Sequence, residues 1–202
     1  MKIKKGIVYL AISMNPTPRK LEIITVASTL FKERGYSAVT MRDIAKAMGI
    51  KAASLYNHIK NKEEILTFII ISLAEEFISG MELIKNSNVN SLEKLKQIVS
   101  LHVDITSRNA NGMASLNNDW MHLKDQLNHY LKLRKDYENS FRSILKSGIK
   151  NNEIANSNED IMLFSMLSTL RSLYIWIPQK EDLDSKKMAS NLSDVLLNGI
   201  NN

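Results

Sequence analysis

The chain has 202 residues, 44% hydrophobic and 24% charged, with a formal net charge of +6. That suffices for one sizeable globular domain or two small ones sharing a boundary. The absence of cysteine excludes disulfides, iron–sulfur clusters and thiolate zinc sites. With 3 prolines, 7 glycines and little alternating hydrophobicity, an all-α fold is expected.

The segment MKIKKGIVYLAIS superficially resembles a secretory signal, but no A-x-A site follows its short apolar run. Met14 is an alternative start, so residues 1–14 are expected to be a flexible or mis-assigned extension. Thr17-Pro18 opens the first helix, because proline at the first helical position loses only an orphan N–H. Apolar residues at Leu21, Ile24, Ala27, Leu30 and Phe31 make a helical stripe that Gly35 closes. Thr40, with Asp43 three residues on, begins a short second helix ended by Gly49. A third short helix carries Leu55 and Ile59 inward. Asn61 and Glu64 cap a long fourth helix running to about Lys85.

Four further long helices and a short segment follow. They run from about Leu92 to Ser107, Leu123 to Gly148, Glu159 to Ile177 and Ser185 to Leu197, with the short segment after a loop RNANG ending at Asp119. The total is about nine helices. The uncharged run ILTFIIISLA is far short of the roughly twenty residues that span a bilayer, so no membrane partner is expected.

Charge divides the chain. Residues 1–62 hold 12 of the 27 Lys/Arg but only 3 of the 21 Asp/Glu. A basic head on a slightly acidic body points to a head that meets a polyanion. Within it, two short helices around Gly49 form a helix-turn-helix pattern, which places its second helix in the major groove of DNA. Thr40 offers a hydroxyl and amides at a helix start, Tyr56 an aromatic donor, His58 an imidazole and Lys62 an ammonium; Arg42 and Lys46 add charge nearby.

The stretch TLFKERGYSAVTMRDIAKAMGIKAASLYNHIKNKEEIL resembles the TetR family of bacterial transcription regulators almost without a break. The resemblance implies a three-helix DNA-binding head over residues 15–62, an effector-binding and dimerisation body over 63–202, and a cytoplasmic homodimer on a roughly palindromic operator. Carried over, Thr40, Tyr56, His58 and Lys62 hold phosphates, while Lys51, Ala52, Ala53 and Asn57 approach base edges. Tyr56 has packing between helices as its alternative, and Asn57 simple solvation. Two departures stand out. Lys51 and Ala52 stand where the family often has Ser/Thr and a basic residue, and Ile59 replaces the usual Phe. Lys51 is therefore the residue expected to set this operator apart.

In the body, the helix DIMLFSMLSTLRSLYIW is apolar nearly all round and must be covered on every face. Phe164, Leu167 and Leu170, with Leu192, Val195 and Leu196 of the last helix, are expected to form a four-helix dimer interface. Met113, Trp120, Met121, Tyr137, Phe141, Arg171 and Tyr174 are expected to line an effector cavity mixing aromatic and flexible apolar surface. This half loosely resembles family members that sense acyl-CoA thioesters. That implies a hydrophobic or amphipathic effector, with Arg134, Arg142, Lys146 and Arg171 answering CoA phosphates.

His102, His122 and His129 lack tight metal-ligand spacing, so neither metal nor cofactor is expected. No nucleophile–base motif, phosphate loop or dinucleotide fingerprint appears, so an enzyme is not expected. The leading reading is a ligand-responsive repressor; the alternative is a constitutive DNA-binding regulator or nucleoid protein without an effector.

Overall fold

The structure, a computed structural model, describes residues 16–180 and 184–199. The expectation for residues 1–14 lies outside the described residues. Among those described, the fold is all-α: α1 Pro18–Arg34, α2 Met41–Ala47, α3 Ala52–Leu55, α4 Lys62–Lys85, α5 Ser91–Arg108, α6 Ala110–Asn118, α7 Leu127–Lys150, α8 Glu159–Trp176 and α9 Ser185–Asn198.

Local chemistry explains the head. The Thr17 hydroxyl accepts from the Lys20 amide, with Pro18 in the first turn of α1. Thr40 and Asp43 make a reciprocal capping box at the start of α2. α2 ends in a Schellman motif: Ile50 N–H reaches Ala45 O at 3.0 Å and Gly49 N–H reaches Lys46 O at 3.1 Å. That closure needs the left-handed backbone of Gly49, φ +67°, which a side chain would strain. Ile44, Ala45, Leu55 and Ile59 are fully buried, so the hairpin is clamped from beneath by apolar contacts. Asn61 then caps α4, accepting from Glu64 N–H at 2.8 Å.

α4 runs unbroken from the head into the body, where it packs against α5, α6 and α7. Its apolar residues Ile65, Leu66, Ile69, Ile70, Leu73 and Phe77 belong to the same buried core as Ile23, Ala27 and Phe31 of α1. Lys20 Nζ donates to Glu64 Oε1 at 2.6 Å, a half-buried ion pair tying α1 to the start of α4.

The RNANG segment, expected as a loop, is almost entirely helical. Asn109 alone separates α5 from α6, and it ends one helix while its side chain caps the other by accepting from Gly112 N–H at 2.9 Å. Gly112 is glycine because a Cβ there would lie 2.7 Å from the Asn109 amide group. Helix α7 starts at Leu127 rather than Leu123, because two 3-10 turns, Trp120–His122 and Lys124–Gln126, occupy the approach.

Helix α8 resolves into two faces. Leu163, Met166, Leu167, Leu170 and Leu173 are buried against α5, α6 and α7. Ile161, Phe164 (71% exposed) and Ile175 point outward, with Ser165, Ser168 and Ser172 between them. Leu167 and Leu170, expected at a subunit interface, are instead core of this chain, 4% and 0% exposed. On α9, Val195 is exposed while Leu192 and Leu196 are half-buried against the core. Residues Glu159–Gln179 are long and apolar enough by composition to cross a membrane. Here the inner face fills the core, and Arg171 midway along pairs with Glu138 at 2.6 Å.

Candidate functional site

The head presents a compact polar surface. Arg42, Lys51, Ala53, Tyr56, Asn57 and His58 are exposed, and Tyr56 is 56% exposed, so it does not pack between helices. Helix α3 ends at Leu55, yet the chain keeps winding: His58 and Ile59 amides both reach Leu55 O, at 2.9 and 3.0 Å. Tyr56, Asn57 and His58 thus sit on one more turn in solvent, while Ile59 returns to the core. Lys51 precedes α3 in an extended conformation and is exposed; a donor-only ammonium cannot cap the helix start. Ala52 is half-buried against the core, so only its rim is available.

Two expected phosphate contacts are otherwise engaged. The Thr40 hydroxyl and amide are both bonded to the Asp43 carboxylate. Lys62 does not project outward: Nζ donates to Tyr36 O and Val39 O, both at 2.7 Å, and lies 4.2 Å from the Tyr36 ring centroid. The α1–α2 loop ends with carbonyls that no helix satisfies, and a charged donor there outcompetes solvent exposure.

In the body, a cavity of about 390 Å³ opens between α4, α5, α6, α7 and α8. Ala74, Phe77, Met113, Leu116, Trp120 and Leu133 supply its apolar wall, and His102, Asn117, Tyr130, Arg134, Tyr137 and Arg171 its polar groups. Met113, Trp120, Tyr137 and Arg171 therefore lie where the sequence placed them. Three expected lining residues do not. Phe141 is fully buried core, Met121 is exposed on a 3-10 turn, and Tyr174 bonds Asn118 beside a separate crevice formed with Phe31, Lys32, Gly35 and Asp119.

Of the four cations expected to answer phosphates, Arg142 pairs with Asp160 at 2.8 Å and Lys146 with Glu159 at 3.4 Å. Arg134 and Arg171 both reach Glu138, at 3.3 and 2.6 Å. Burial pushes the Glu138 carboxyl up, but these two guanidiniums outweigh it and hold it below the ordinary range. Deeper in, His102 Nε2 lies 2.9 Å from the Tyr137 hydroxyl, with the Phe77 ring 4.6 Å from the imidazole. Burial first, then the charge of Arg171, lowers His102 to about 3, so the ring is neutral. Burial likewise raises Tyr137. Among the described residues, no group of three His, Cys, Asp or Glu side chains gathers to hold a metal ion.

Comparisons with known proteins cover both halves. The model of bacterial regulatory proteins, tetR family, matches residues 23–67, and that of tetracyclin repressor-like C-terminal domains matches 88–200, more than half of the chain. The chain belongs to the TetR family. The KstR2 transcriptional repressor of Rhodococcus jostii is 26% identical over 151 residues, 74% of each chain. The fatty acid metabolism regulator protein of Bacillus subtilis is 26% identical over 191 residues, 92% of this chain and 97% of its own. The ketosteroid transcriptional regulator KstR2 of Mycobacterium tuberculosis has the same fold, with a TM-score of 0.84 at 22% identity over 92% of this chain and 96% of that one.

As a TetR-family member the protein is a DNA-binding transcriptional regulator. The body also holds a buried polar residue, His102. His102 appeared only as a weak metal candidate, yet it falls in phase with Leu95, Ile98, Val99 and Ile105 on the buried face of α5. A polar side chain on an apolar stripe is itself a signal, because burial without a partner is costly. Asn117 and Tyr130, also on the TetR cavity wall, carried no such mark.

Proposed function

We propose that this protein is a repressor in the cytoplasm, holding operator DNA as a homodimer and releasing it when a hydrophobic or amphipathic effector enters the body. The observation that carries the reading is shared scaffolding: α4 and α6 wall the cavity through Ala74, Phe77, Met113 and Leu116, and the same two helices pack against α1 of the head. A molecule that displaces either helix alters the seat of the head. That differential fit is what a population shift between DNA-competent and incompetent forms requires.

In this reading residues 15–62 are the DNA-binding unit. Tyr56 and His58 take phosphates; Lys51, Ala53 and Asn57 face base edges; Arg42 adds a further phosphate contact. Residues 63–202 form the effector and dimer unit. The outward stripe of Phe164, Ile161 and Ile175 on α8 with Val195 on α9 meets its two-fold copy, which supplies the cover that this apolar surface lacks. The fatty acid metabolism regulator protein among its relatives supports an apolar effector, an acyl-CoA being one form it would take.

The test is genome-wide selection of DNA fragments by the purified protein, followed by release assays with long-chain acyl-CoA and free fatty acid. Enrichment of a palindromic site that one of these probes relieves is the expected result. No enrichment defeats the DNA-binding assignment. Enrichment that neither probe relieves favours a constitutive regulator.

A further inference from the structure

We propose that the effector, taken to be hydrophobic as above, carries a neutral oxygen acceptor such as a ketone within its apolar skeleton, received by the His102–Tyr137 pair. The argument is a count of protons. The neutral imidazole has one N–H and one bare nitrogen, and the phenol has one O–H. A single hydrogen bond joins Nε2 to the hydroxyl, and Nδ1 has no protein partner although its atom is buried.

If the phenol donates, the imidazole proton sits on Nδ1 and is unmatched. If Nε2–H donates, the phenolic hydrogen is unmatched. Nδ1 is closed off from the cavity, so the arrangement a ligand can complete is the second, with Nδ1 bare and the phenolic hydrogen of the wall residue Tyr137 unmatched. Both residues lie on the cavity wall, with the Phe77 ring packed against each. The group that completes such a pair is an acceptor.

Charge excludes the alternative of a carboxylate at this depth. The pair is neutral, and the nearest cation, Arg171, already holds Glu138 at 2.6 Å. An anion buried against neutral donors loses its hydration without an opposing charge. A carbonyl loses far less and gains a partner. An anionic end of the effector belongs instead beside Arg134 and Arg171, where two guanidiniums share one carboxylate and both are partly exposed. A purely aliphatic ligand leaves the donor unmatched in a drier site, which is how a hydrogen-bonding pocket rejects an analogue lacking the group.

The experiment is calorimetric titration of the full chain with dodecanoate and with oxododecanoates bearing one ketone at C5 through C11. At least one ketone isomer is expected to bind about tenfold or more tightly than dodecanoate, a preference abolished by His102→Phe and by Tyr137→Phe. Retained dodecanoate binding in the variants shows that they are folded; Tyr137→Phe, which keeps the ring, decides if His102→Phe does not fold. Equal binding across the whole panel overturns the inference and leaves the apolar effector standing. So does a ketone preference that survives in a folded variant. If neither dodecanoate nor any ketone binds, the apolar-effector reading itself fails, and this inference with it.

Discussion

Lys62 Nζ sits over the Tyr36 ring at 4.2 Å while donating to the carbonyl of that same residue at 2.7 Å. With its second bond to Val39 O, the ammonium ties the loop before α2 to the first turn of α4. Lys62→Met removes a charged donor from two carbonyls. The expected loss of stability is about 1.5–3 kcal/mol, read by urea unfolding. DNA binding falls with it, and added ligand-free salt changes that loss little, since no phosphate contact was removed.

Tyr56→Ala and His58→Ala have the opposite signature. Both side chains are exposed beyond α3. Operator affinity is expected to fall by roughly 1–2 kcal/mol for each, evenly across operator variants, with the unfolding midpoint unchanged. Affinity equal to wild type in both would remove them from the DNA interface.

Lys51 is distinguished by where its loss is felt. If it meets a base edge, Lys51→Ala relaxes preference at one base pair by about 1–3 kcal/mol. A uniform loss, with the salt-dependence slope reduced by about one unit, identifies a phosphate contact instead. Binding to a library of single-base operator variants at two salt concentrations separates these outcomes.

On α8 the two faces answer to different measurements. Phe164→Asp is expected to shift the protein from dimer to monomer in sedimentation while the helical signal is kept, because Phe164 is 71% exposed within one chain. Leu170→Ala leaves a cavity in a fully buried position and is expected to cost about 2–5 kcal/mol of unfolding free energy.

His102 makes stability depend on pH. Its folded value, lowered to about 3 by burial first and Arg171 second, lies below the ordinary 6.5. Between those values the unfolded chain binds a proton that the folded chain does not, so stability is full above about 6.5 and falls as pH drops toward 3. The slope is at most about 1.4 kcal/mol per pH unit. Glu64 and Glu138, held low by their partners, act only below their ordinary 4.5, whereas burial raises Asp119, so the histidine's share from pH 6.5 to 5 is read as the difference from a variant lacking it. Unfolding curves of wild type and His102→Phe over that window should diverge, with the variant flatter.

What the sequence disclosed divides along the range of the forces involved. Caps at Thr17, Thr40 and Asn61, and the Gly49 turn, were legible because their partners lie within a few residues. The place of Lys62 was not, since its acceptors Tyr36 and Val39 lie 26 and 23 residues away and nothing local to the lysine announces them. The faces of α8 were illegible for another reason. A helix apolar all round has no phase, so only its neighbours decide that Leu167 and Leu170 turn inward while Phe164 turns out. Asn109 and Gly112 read as loop formers, and it took the cap between them to make them the start of a helix. Phe141 and Met121 were right in type for a cavity wall, but Phe141 lies one turn past Tyr137 on the same buried face of α7, in the core, and Met121 is exposed on a 3-10 turn.

Asn109 and Gly112 also fix the start of a nine-residue helix that has no slack at that end. Met113, Leu116 and Asn117 of α6 line the cavity, whereas Asn111 of the same helix bonds Thr29 of α1 at 2.9 Å, and Ala114 and Asn118 border a crevice shared with Phe31 and Gly35. A helix of this length measures about 13 Å and moves as one piece. A molecule in the cavity is therefore separated from the head by one helix diameter, about 10 Å, with no hinge in between.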